Sequence, residues 1–429
     1  MKLNKIKLDN GLPVFLIKTP MLKTATILVM VKTGSKYENR KNSGISHFLE
    51  HMFFKGTVKR PDTLSLSAEL DSIGAEFNAF TGKEYTGYYI KTPQAKIKIG
   101  VDVLSDMLLN SKFSEEEIQR EKGVIVEEMN MYEDNPMMHI DDVFESCLYG
   151  DSPAGWDTIG FKSSVLSFRR DDFIKYFQSQ YGSKSIAVFL AGDFSAKEVS
   201  SLMSGDFLKI SKNNYQKKIK VVENQKNPAW KIKKKKTDQI TLSLGFRAFP
   251  ATHPDEFVLK LLSIILGGAM SSRLFIELRE RRGLAYYVRS NVELYSDCGY
   301  ITVQAGIPKN KLEESIQTIL DEYQKLKDFL VDNKELQKAK DLLSGKIIVK
   351  MEGSDDFSSW YGRQFPLESE FLSPDQIIAK FKKVQPQDIQ RVARRLFVDK
   401  NLNLALIGDI KDDLKIKKIL NDRRFKKTK

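Results

Sequence analysis

The feature that most constrains this chain is an internal repeat whose period is close to half of its 429 residues. A strand-like alternation of apolar residues is found twice, 215 residues apart: Ala25, Ile27, Val29 and Val31, then Ile240, Leu242, Leu244 and Phe246. A proline followed by an amphipathic helix pattern is found at Pro93 and again at Pro308. The pair Gly192-Asp193 returns as Gly408-Asp409. Three independent anchors agree on the offset to within one residue, which predicts two copies of one domain.

Each copy has the order of elements of an α+β domain. The pattern gives strands first, then a helix, further strands, paired amphipathic helices and a closing strand. This order predicts a mainly antiparallel sheet with helices packed on one face. We place the first domain at residues 1–210 and the second at 237–429, joined by a linker at 211–236 that is rich in Lys, Asn and Gln. The alternative is a coincidental similarity between two unrelated α+β domains.

The net charge of +13 would attract nucleic acid if it were concentrated on one face of the protein. The densest basic runs are at 233–236 and 423–427, in the linker and at the end of the sequence. We therefore interpret them as solvated surface and expect no nucleic-acid partner. Binding to DNA with a steep salt dependence would favour the opposite interpretation.

The sequence also predicts the compartment. The longest apolar run, Ile27 to Val31, is too short to span a bilayer, so we expect no membrane. The first residues mix charged and apolar side chains without the continuous apolar segment of a signal peptide. The two cysteines, Cys147 and Cys298, cannot form a disulfide framework and fit a reducing environment. We therefore expect a cytoplasmic protein.

Two of the four histidines fall within the short segment SHFLEH at 46–51. On a helix, His47 and His51 lie one turn apart and can direct two imidazole nitrogens at one metal ion. Glu50 projects beside them. The apolar residues of the same helix form a stripe on the opposite face: Ile45, Phe48, Leu49 and Met52. The histidines are therefore not on the core side, and the HxxEH order mirrors the commoner HExxH arrangement of zinc peptidases.

A catalytic zinc site needs three protein ligands and an open position, so a third ligand has to come from another segment. Residues 118–132 have the pattern of an amphipathic helix, on which Glu121 and Glu128 lie together at the edge of the apolar stripe. Glu127 points to the opposite side. Because carboxylates that face the interior need a cation or a hydrogen-bond partner, we predict Glu128 as the third ligand and Glu121 as a residue that orients a ligand. Taken alone, this helix also fits an ordinary surface helix with salt bridges.

The second copy is an internal control for the metal site. At the repeat offset, the three motif residues correspond to Leu262, Ile265 and Leu266, and Glu128 falls near Leu343 or Lys346. None of these side chains is a zinc ligand of the kind expected here. We therefore expect metal in the first copy alone.

Four segments together resemble a known family: HFLEHMFFKGT from His47, EFNAFTGKEYTGYY from Glu76, REKGVIVEEM from Arg120 and GGAMSSRLFIELRERRGLAYYV from Gly267. With them, the sequence resembles the inverzincin metallopeptidases, which include pitrilysin, insulin-degrading enzyme and the mitochondrial processing peptidase. The resemblance covers nearly the whole chain, and its length fits the short bacterial subfamily, in which two chains pair into a clamshell chamber. It implies one zinc ion per chain on His47, His51 and Glu128, with Glu50 as general base.

The resemblance also assigns residues that contact the substrate. It implies that Asn78 and Ala79 lie on an edge strand that receives a peptide as an added strand. Arg279 and Tyr286 match the family's Arg and Tyr that reach the substrate from across the chamber. Without the resemblance, Arg279 would be interpreted as a surface charge and Tyr286 as a tyrosine in the core of a strand. The implied assembly is a homodimer in which each chain forms half of a clamshell.

Three functions follow from this sequence. The first is a zinc endopeptidase that hydrolyses peptides bound as extended strands inside a closed chamber. The second is a processing peptidase that removes defined leader peptides. The third is a non-catalytic subunit, like the relatives embedded in a respiratory complex, which the intact metal motif disfavours.

Overall fold

The computed structural model describes residues 3–213, 215–410, 413–421 and 425. The basic run at 423–427, apart from Phe425, lies outside the described residues. The chain forms two compact units. The first contains Met1–Asn130, Trp156–Ile219 and Val349–Ser373, and the second contains Met131–Gly155, Lys220–Ile348 and Pro374–Lys429.

The strands are β1 (Leu3–Lys7), β2 (Pro13–Lys18), β3 (Thr24–Val31), β4 (Glu76–Thr81), β5 (Thr86–Pro93), β6 (Ile186–Gly192), β7 (Ala229–Lys234), β8 (Gln239–Ala248), β9 (Tyr287–Leu294), β10 (Gly299–Pro308) and β11 (Leu402–Gly408). The α-helices are α1 (Ile45–Phe53), α2 (Thr63–Asp71), α3 (Ile97–Asn110), α4 (Glu115–Asp134), α5 (Pro136–Tyr149), α6 (Lys162–Ser167), α7 (Arg170–Gln180), α8 (Ala196–Met203), α9 (Glu256–Gly267), α10 (Leu312–Asp328), α11 (Asn333–Lys350), α12 (Ser354–Gly362), α13 (Pro374–Lys383), α14 (Pro386–Leu396) and α15 (Asp413–Asn421). Within the described ranges, no helix combines the length and the apolar character needed to cross a membrane.

The sheet of the first unit has the strand order β1-β2-β6-β3-β5-β4. β2 and β6 are parallel, and the other neighbouring pairs are antiparallel. β3 lies inside the sheet and is apolar and buried along almost its whole length, as expected of a strand that is covered on both faces. β4 is an edge strand, because β5 is its one strand neighbour among the described residues.

The sheet of the second unit repeats this topology. Its order, β7-β11-β8-β10-β9, matches β2-β6-β3-β5-β4 strand for strand. Within these five matched strands, β2 and β6 are parallel, as are β7 and β11, and the other neighbouring pairs are antiparallel in both sheets. Pro93 and Pro308 both end the strand that precedes a long helix. The predicted duplication and the predicted α+β fold with mainly antiparallel sheets are therefore confirmed.

Helices cover the first sheet on both of its faces. On one face, Phe48 of α1, Leu104 of α3 and Phe173 of α7 join the main core of this unit. On the other face, Phe357 and Tyr361 of α12 belong to a second apolar cluster with residues of β3 and β6. The sequence pattern predicted the first helical layer, and α12 adds a cover on the second face.

Two segments belong to a different unit from the residues that precede them. Residues 131–155, with α5, belong to the second unit, and residues 349–373, with α12, belong to the first. The expected domains at 1–210 and 237–429 did not include this exchange, in which each of the two segments belongs to the unit formed mainly by the other half of the sequence. In the second unit, Phe144 of α5 packs on Tyr300 of β10 with ring centroids 5.4 Å apart. A sheet with two apolar faces has to be packed against other elements on both faces, and α5 packs against one of them. The predicted linker at 211–236 also contains β7, which pairs with β11.

Candidate metal centre

Helix α1 buries one face and presents the other to the candidate site. Its stripe residues are at most 1% exposed: Ile45, Phe48, Leu49 and Met52. His47, Glu50 and His51 are half-buried on the opposite side. The predicted division of this helix into an apolar face and a face with histidines is therefore confirmed by the burial of its side chains.

The N-terminal end of α1 is fixed by a buried carboxylate. Glu38 accepts hydrogen bonds from the backbone N–H groups of Gly44, at 2.7 Å, and of Ser46, at 2.8 Å. Burial, the largest effect, raises the pKa of Glu38 from its ordinary 4.5 to about 7, although both hydrogen bonds lower it. Gly44 has a φ of 93°, and a Cβ there would lie 2.5 Å from the carbonyl oxygen of Ile159. The start of α1 therefore requires glycine at this position.

Helix α4 brings Glu128 next to the two histidines. Glu128 Oε1 lies 3.6 Å from His47 Nε2, and Glu128 Oε2 lies 3.6 Å from His51 Nε2. Each of the three residues offers one ligand atom, and these atoms all lie within 4.8 Å of one another. Glu121 is buried on the same helix, whereas Glu127 is exposed. The structure thus separates the glutamates of this helix in the way that its periodicity predicted.

The spacing and chemistry of these atoms fit a zinc ion. Tetrahedral ligands about 2.0 to 2.2 Å from zinc lie about 3.3 Å from one another, which is close to the 3.6 Å between each imidazole nitrogen and its nearer Glu128 oxygen. Glu121 Oε1 lies 2.9 Å from His51 Nδ1, an arrangement that leaves Nε2 free to bind a metal ion. Burial and the neighbouring His51 lower the pKa of His47 to about 3, which favours the neutral imidazole that binds metals. His47 Nδ1 is buried without a hydrogen-bond partner in the described part of the chain.

The two carboxylates of α4 have opposite pKa shifts. Burial raises the pKa of Glu128, and the charge of Glu121 raises it further, while His51 lowers it. Burial also raises the pKa of Glu121, but the hydrogen bond with His51 and the nearby ammonium of Lys55 outweigh burial and hold the pKa below its ordinary value. A carboxylate that is costly to ionise in a half-buried site is stabilised by a divalent cation.

Glu50 lies in the same site but outside this group of three ligand atoms. The hydroxyl of Thr81, the last residue of β4, donates a hydrogen bond to Glu50 Oε2. Burial raises the pKa of Glu50, although this hydrogen bond and His51 lower it. A carboxylate with a raised pKa beside a metal site has the properties of a general base.

Asn78 and Ala79 lie on β4, as the resemblance implied. Asn78 is opposite Tyr89 and Ala79 is opposite Tyr88 of β5. The side chain of Asn78 accepts a hydrogen bond of 2.8 Å from the N–H of Ala79. The same strand therefore provides an edge that no other described strand pairs with and, through Thr81, a contact to Glu50.

In the second unit, the structure brings Arg279 and Tyr286 together. Arg279 lies in a π-helical segment, Phe275–Arg281, and its guanidinium is 5.6 Å from the centroid of the Tyr286 ring. Tyr286 is 74% exposed. Its side chain is therefore available to a ligand and is not the core tyrosine of the alternative interpretation.

The second unit also contains the counterparts of the motif residues. Leu262, Ile265 and Leu266 lie on α9 and are at most 3% exposed. The positions that hold polar side chains in α1 are thus filled by core residues in the second copy.

The sequence analysis missed three residues that support the site. Glu38 holds the start of α1, Thr81 holds Glu50, and Lys55 pairs with Glu121 at 2.7 Å. Lys55 and Thr81 lie inside the HFLEHMFFKGT and EFNAFTGKEYTGYY segments, which was the available signal. Periodicity could not assign their contacts, because each of them joins two separate elements.

Comparison with known families matches two parts of the chain. Residues 13–160 match the model described as insulinase (peptidase family M16). Residues 167–343 match the model described as the peptidase M16 inactive domain. The first match lies within the first copy, and the second match extends from the end of the first copy into the second.

Relatives of similar length carry zinc protease names. The uncharacterized zinc protease YmxG of Bacillus subtilis is 33% identical over 93% of this chain and 97% of its own. An uncharacterized zinc protease of Rickettsia felis is 33% identical over 92% of this chain and 95% of its own.

Solved structures share the fold. A protease from Helicobacter pylori has a TM-score of 0.89 at 24% identity, with 95% of this chain and 99% of that chain covered. A chain of complex III2 from Candida albicans has a TM-score of 0.84 at 15% identity, with 97% and 99% covered. At these identities the similarity supports the fold alone.

Proposed function

Because this chain belongs to peptidase family M16, the insulinase family, we propose that it is a zinc endopeptidase that hydrolyses extended peptides inside a closed chamber. Family membership and the relatives named zinc proteases support the zinc metallopeptidase. The finer proposal concerns the residues, the mode of substrate binding and the assembly.

One observation carries the proposal: His47, His51 and Glu128 converge within 4.8 Å of one another, beside a Glu50 carboxylate that is held by Thr81. Two imidazoles and one carboxylate form a three-ligand set that leaves a fourth position for water or substrate. We assign one zinc ion per chain to this set.

Each step of the reaction can be given to a residue of this chain. When bound, zinc would polarise the scissile carbonyl and lower the pKa of a water molecule. Glu50 takes the proton of the attacking water and then passes it to the leaving amine. Thr81 keeps one carboxylate oxygen of Glu50 in place, so that the other remains free to accept the proton. Glu121 keeps the His51 ring in its binding orientation.

Substrate binding uses the edge of the first sheet. A peptide that adds to β4 beside Asn78 and Ala79 would bind through main-chain hydrogen bonds, with little demand on its sequence. Such a peptide has to displace the Asn78 side chain from the N–H of Ala79. Arg279 and Tyr286 would donate hydrogen bonds to the substrate or to the tetrahedral oxyanion.

The assembly that we propose is a homodimer, because one chain carries both the candidate metal ligands and the candidate substrate-contacting pair. Light scattering on the purified protein tests this assignment. A stable monomer with full activity would contradict it. Location in the cytoplasm stays a prediction from the sequence.

The direct test of the function is the Glu50→Gln variant. We expect its peptide hydrolysis to fall roughly 10² to 10⁴-fold, because the general base is lost, while its zinc content is unchanged. Glu127→Gln is the matched control, since Glu127 directly precedes Glu128 on α4 but its side chain is exposed, and we expect this variant to keep wild-type activity. Hydrolysis by Glu50→Gln at the wild-type rate would refute the assignment.

Mapping of cleavage sites in a peptide library separates the proposed endopeptidase from a processing peptidase. Scattered sites are expected for binding through the main chain at β4, and a single defined site would favour leader removal. The non-catalytic subunit is disfavoured, because the ligand set and the base are all present in this chain.

A further inference from the structure

Lys55 is linked to a candidate zinc ligand through one carboxylate. It lies just after the end of α1, and its Nζ is 2.7 Å from Glu121 Oε2. The other oxygen of that carboxylate, Oε1, is 2.9 Å from His51 Nδ1. Glu121 therefore connects the ammonium of Lys55 to the ring of His51.

The burial of these groups makes the ion pair more than a surface contact. The side chain of Glu121 is 3% exposed and that of Lys55 is 22% exposed. A buried carboxylate that loses its cationic partner keeps an uncompensated charge, which favours a rearrangement. Without Lys55, His51 would be the one polar partner of the Glu121 carboxylate among the described residues, and the carboxylate could rotate. The ion pair with Lys55 is a second contact of the Glu121 carboxylate, and it fixes the plane of that carboxylate.

The negative charges of the glutamates around the site also point to a role for Lys55. Glu50, Glu121 and Glu128 would together carry three negative charges when ionised. Among the described residues, Lys55 is the one Lys or Arg within ion-pair distance of any of them. A divalent cation on His47, His51 and Glu128 together with Lys55 would bring the sum of these charges to zero.

We propose that Lys55 is a positioning residue of the zinc centre, which acts by fixing Glu121 and, through it, the metal-binding orientation of His51. The inference rests on the zinc centre of the proposed function, but it concerns zinc affinity and can fail on its own.

The sign of the effect separates this role from simple electrostatics. If Lys55 acted only through its charge, its removal would take a positive charge away from the cation and tighten zinc binding. If Lys55 positions Glu121, its removal weakens zinc binding. The two mechanisms therefore predict opposite changes in the dissociation constant.

The experiment measures the zinc dissociation constant of the purified full chain by competition with a chromophoric chelator at fixed pH. We expect Lys55→Met to bind zinc about tenfold more weakly, the lower end of the effect of removing partners outside the ligand shell. Lys55→Arg should stay within about threefold of wild type, because Arg retains the charge and the N–H donors. The matched control is Lys59→Met, which removes an exposed lysine four positions away and should leave the affinity unchanged.

A double-mutant cycle tests whether the effect passes through Glu121. In a Glu121→Gln background, Lys55→Met should cause no further loss of zinc affinity. Unchanged or tighter zinc binding by Lys55→Met, or an equal loss in both backgrounds, would overturn the proposal. If Lys55→Met does not fold, as judged by thermal unfolding in chelator, Lys55→Gln takes its place with the same expected direction. A wild-type chain that binds zinc but hydrolyses no peptide would refute the proposed function and leave this inference standing.

Discussion

We expect the first compact unit of a Glu38→Gln protein to lose less stability than the wild type when the pH is raised from 5 to 8. Burial raises the pKa of Glu38 from 4.5 to about 7 in the folded protein. The folded state therefore binds this proton more tightly than the unfolded state does. Protonation favours folding, and the contribution of Glu38 to stability falls as the pH rises through the window from about 4.5 to about 7.

The size of the effect follows from the two pKa values. A change from 4.5 to about 7 corresponds to roughly 3 kcal/mol once the pH is above both values. About 2.5 kcal/mol of this falls between pH 5 and pH 8, because part of the change has already taken place at pH 5. Glutamine does not titrate, so the variant should lack this part of the pH dependence.

The assay is urea unfolding of metal-free protein, followed by tryptophan fluorescence in a Trp230→Phe background. Trp156 and Trp360 then remain as reporters, and both belong to the first unit. The free energy of unfolding is compared between wild type and Glu38→Gln at both pH values. Glu116→Gln is the control, because the side chain of Glu116 is 82% exposed, and it should follow the wild type at both pH values.

Equal pH dependence in Glu38→Gln and wild type would refute the reasoning. A larger loss of stability at high pH in the variant would refute it as well, since that result requires a lowered pKa in the folded state. The first outcome would mean that the hydrogen bonds from Gly44 and Ser46 balance the effect of burial on the pKa of Glu38, and the second would mean that they outweigh it.

Three further predictions concern the site itself. Thr81→Val should lower kcat about tenfold with little change in KM, since a hydrogen bond to a charged group contributes about 1.5 to 3 kcal/mol. Thr81→Ser should restore kcat, and an unchanged kcat in steady-state assays of Thr81→Val would contradict the role of this hydroxyl. Glu121→Gln should weaken zinc binding roughly 10 to 100-fold in chelator competition, and wild-type affinity would count against Glu121 as the partner of His51. Tyr286→Phe should lower kcat/KM roughly 10² to 10³-fold if its hydroxyl stabilises the oxyanion, with zinc affinity unchanged; full activity would remove Tyr286 from the mechanism.

The sequence predicted the parts of this fold that depend on local periodicity. The alternation in β3 and β8 and the helical stripe of α1 repeat within a few residues, so their buried faces could be assigned without tertiary information. The same argument separated Glu128 from Glu127 on α4, and the structure places Glu128 beside His47 and His51.

The parts that sequence analysis missed depend on which surfaces meet. The apolar faces of α5 and α12 indicate that each helix packs against another element, but they do not indicate which of the two sheets that element belongs to. The exchange of 131–155 and 349–373 between the units was therefore not predicted. Lys55 and Thr81 were missed for a similar reason. Their partners, Glu121 and Glu50, lie on other elements, and a single charged or hydroxyl side chain gives no periodic signal.

The most direct test of the central claim is an experimental structure of the zinc-loaded protein with anomalous diffraction at the zinc edge. We predict one strong peak per chain about 2.0 to 2.2 Å from His47 Nε2, His51 Nε2 and an oxygen of Glu128. A structure in which zinc is bound elsewhere, or in which the Glu128 carboxylate points away from a metal ion held by the two histidines, would contradict the account.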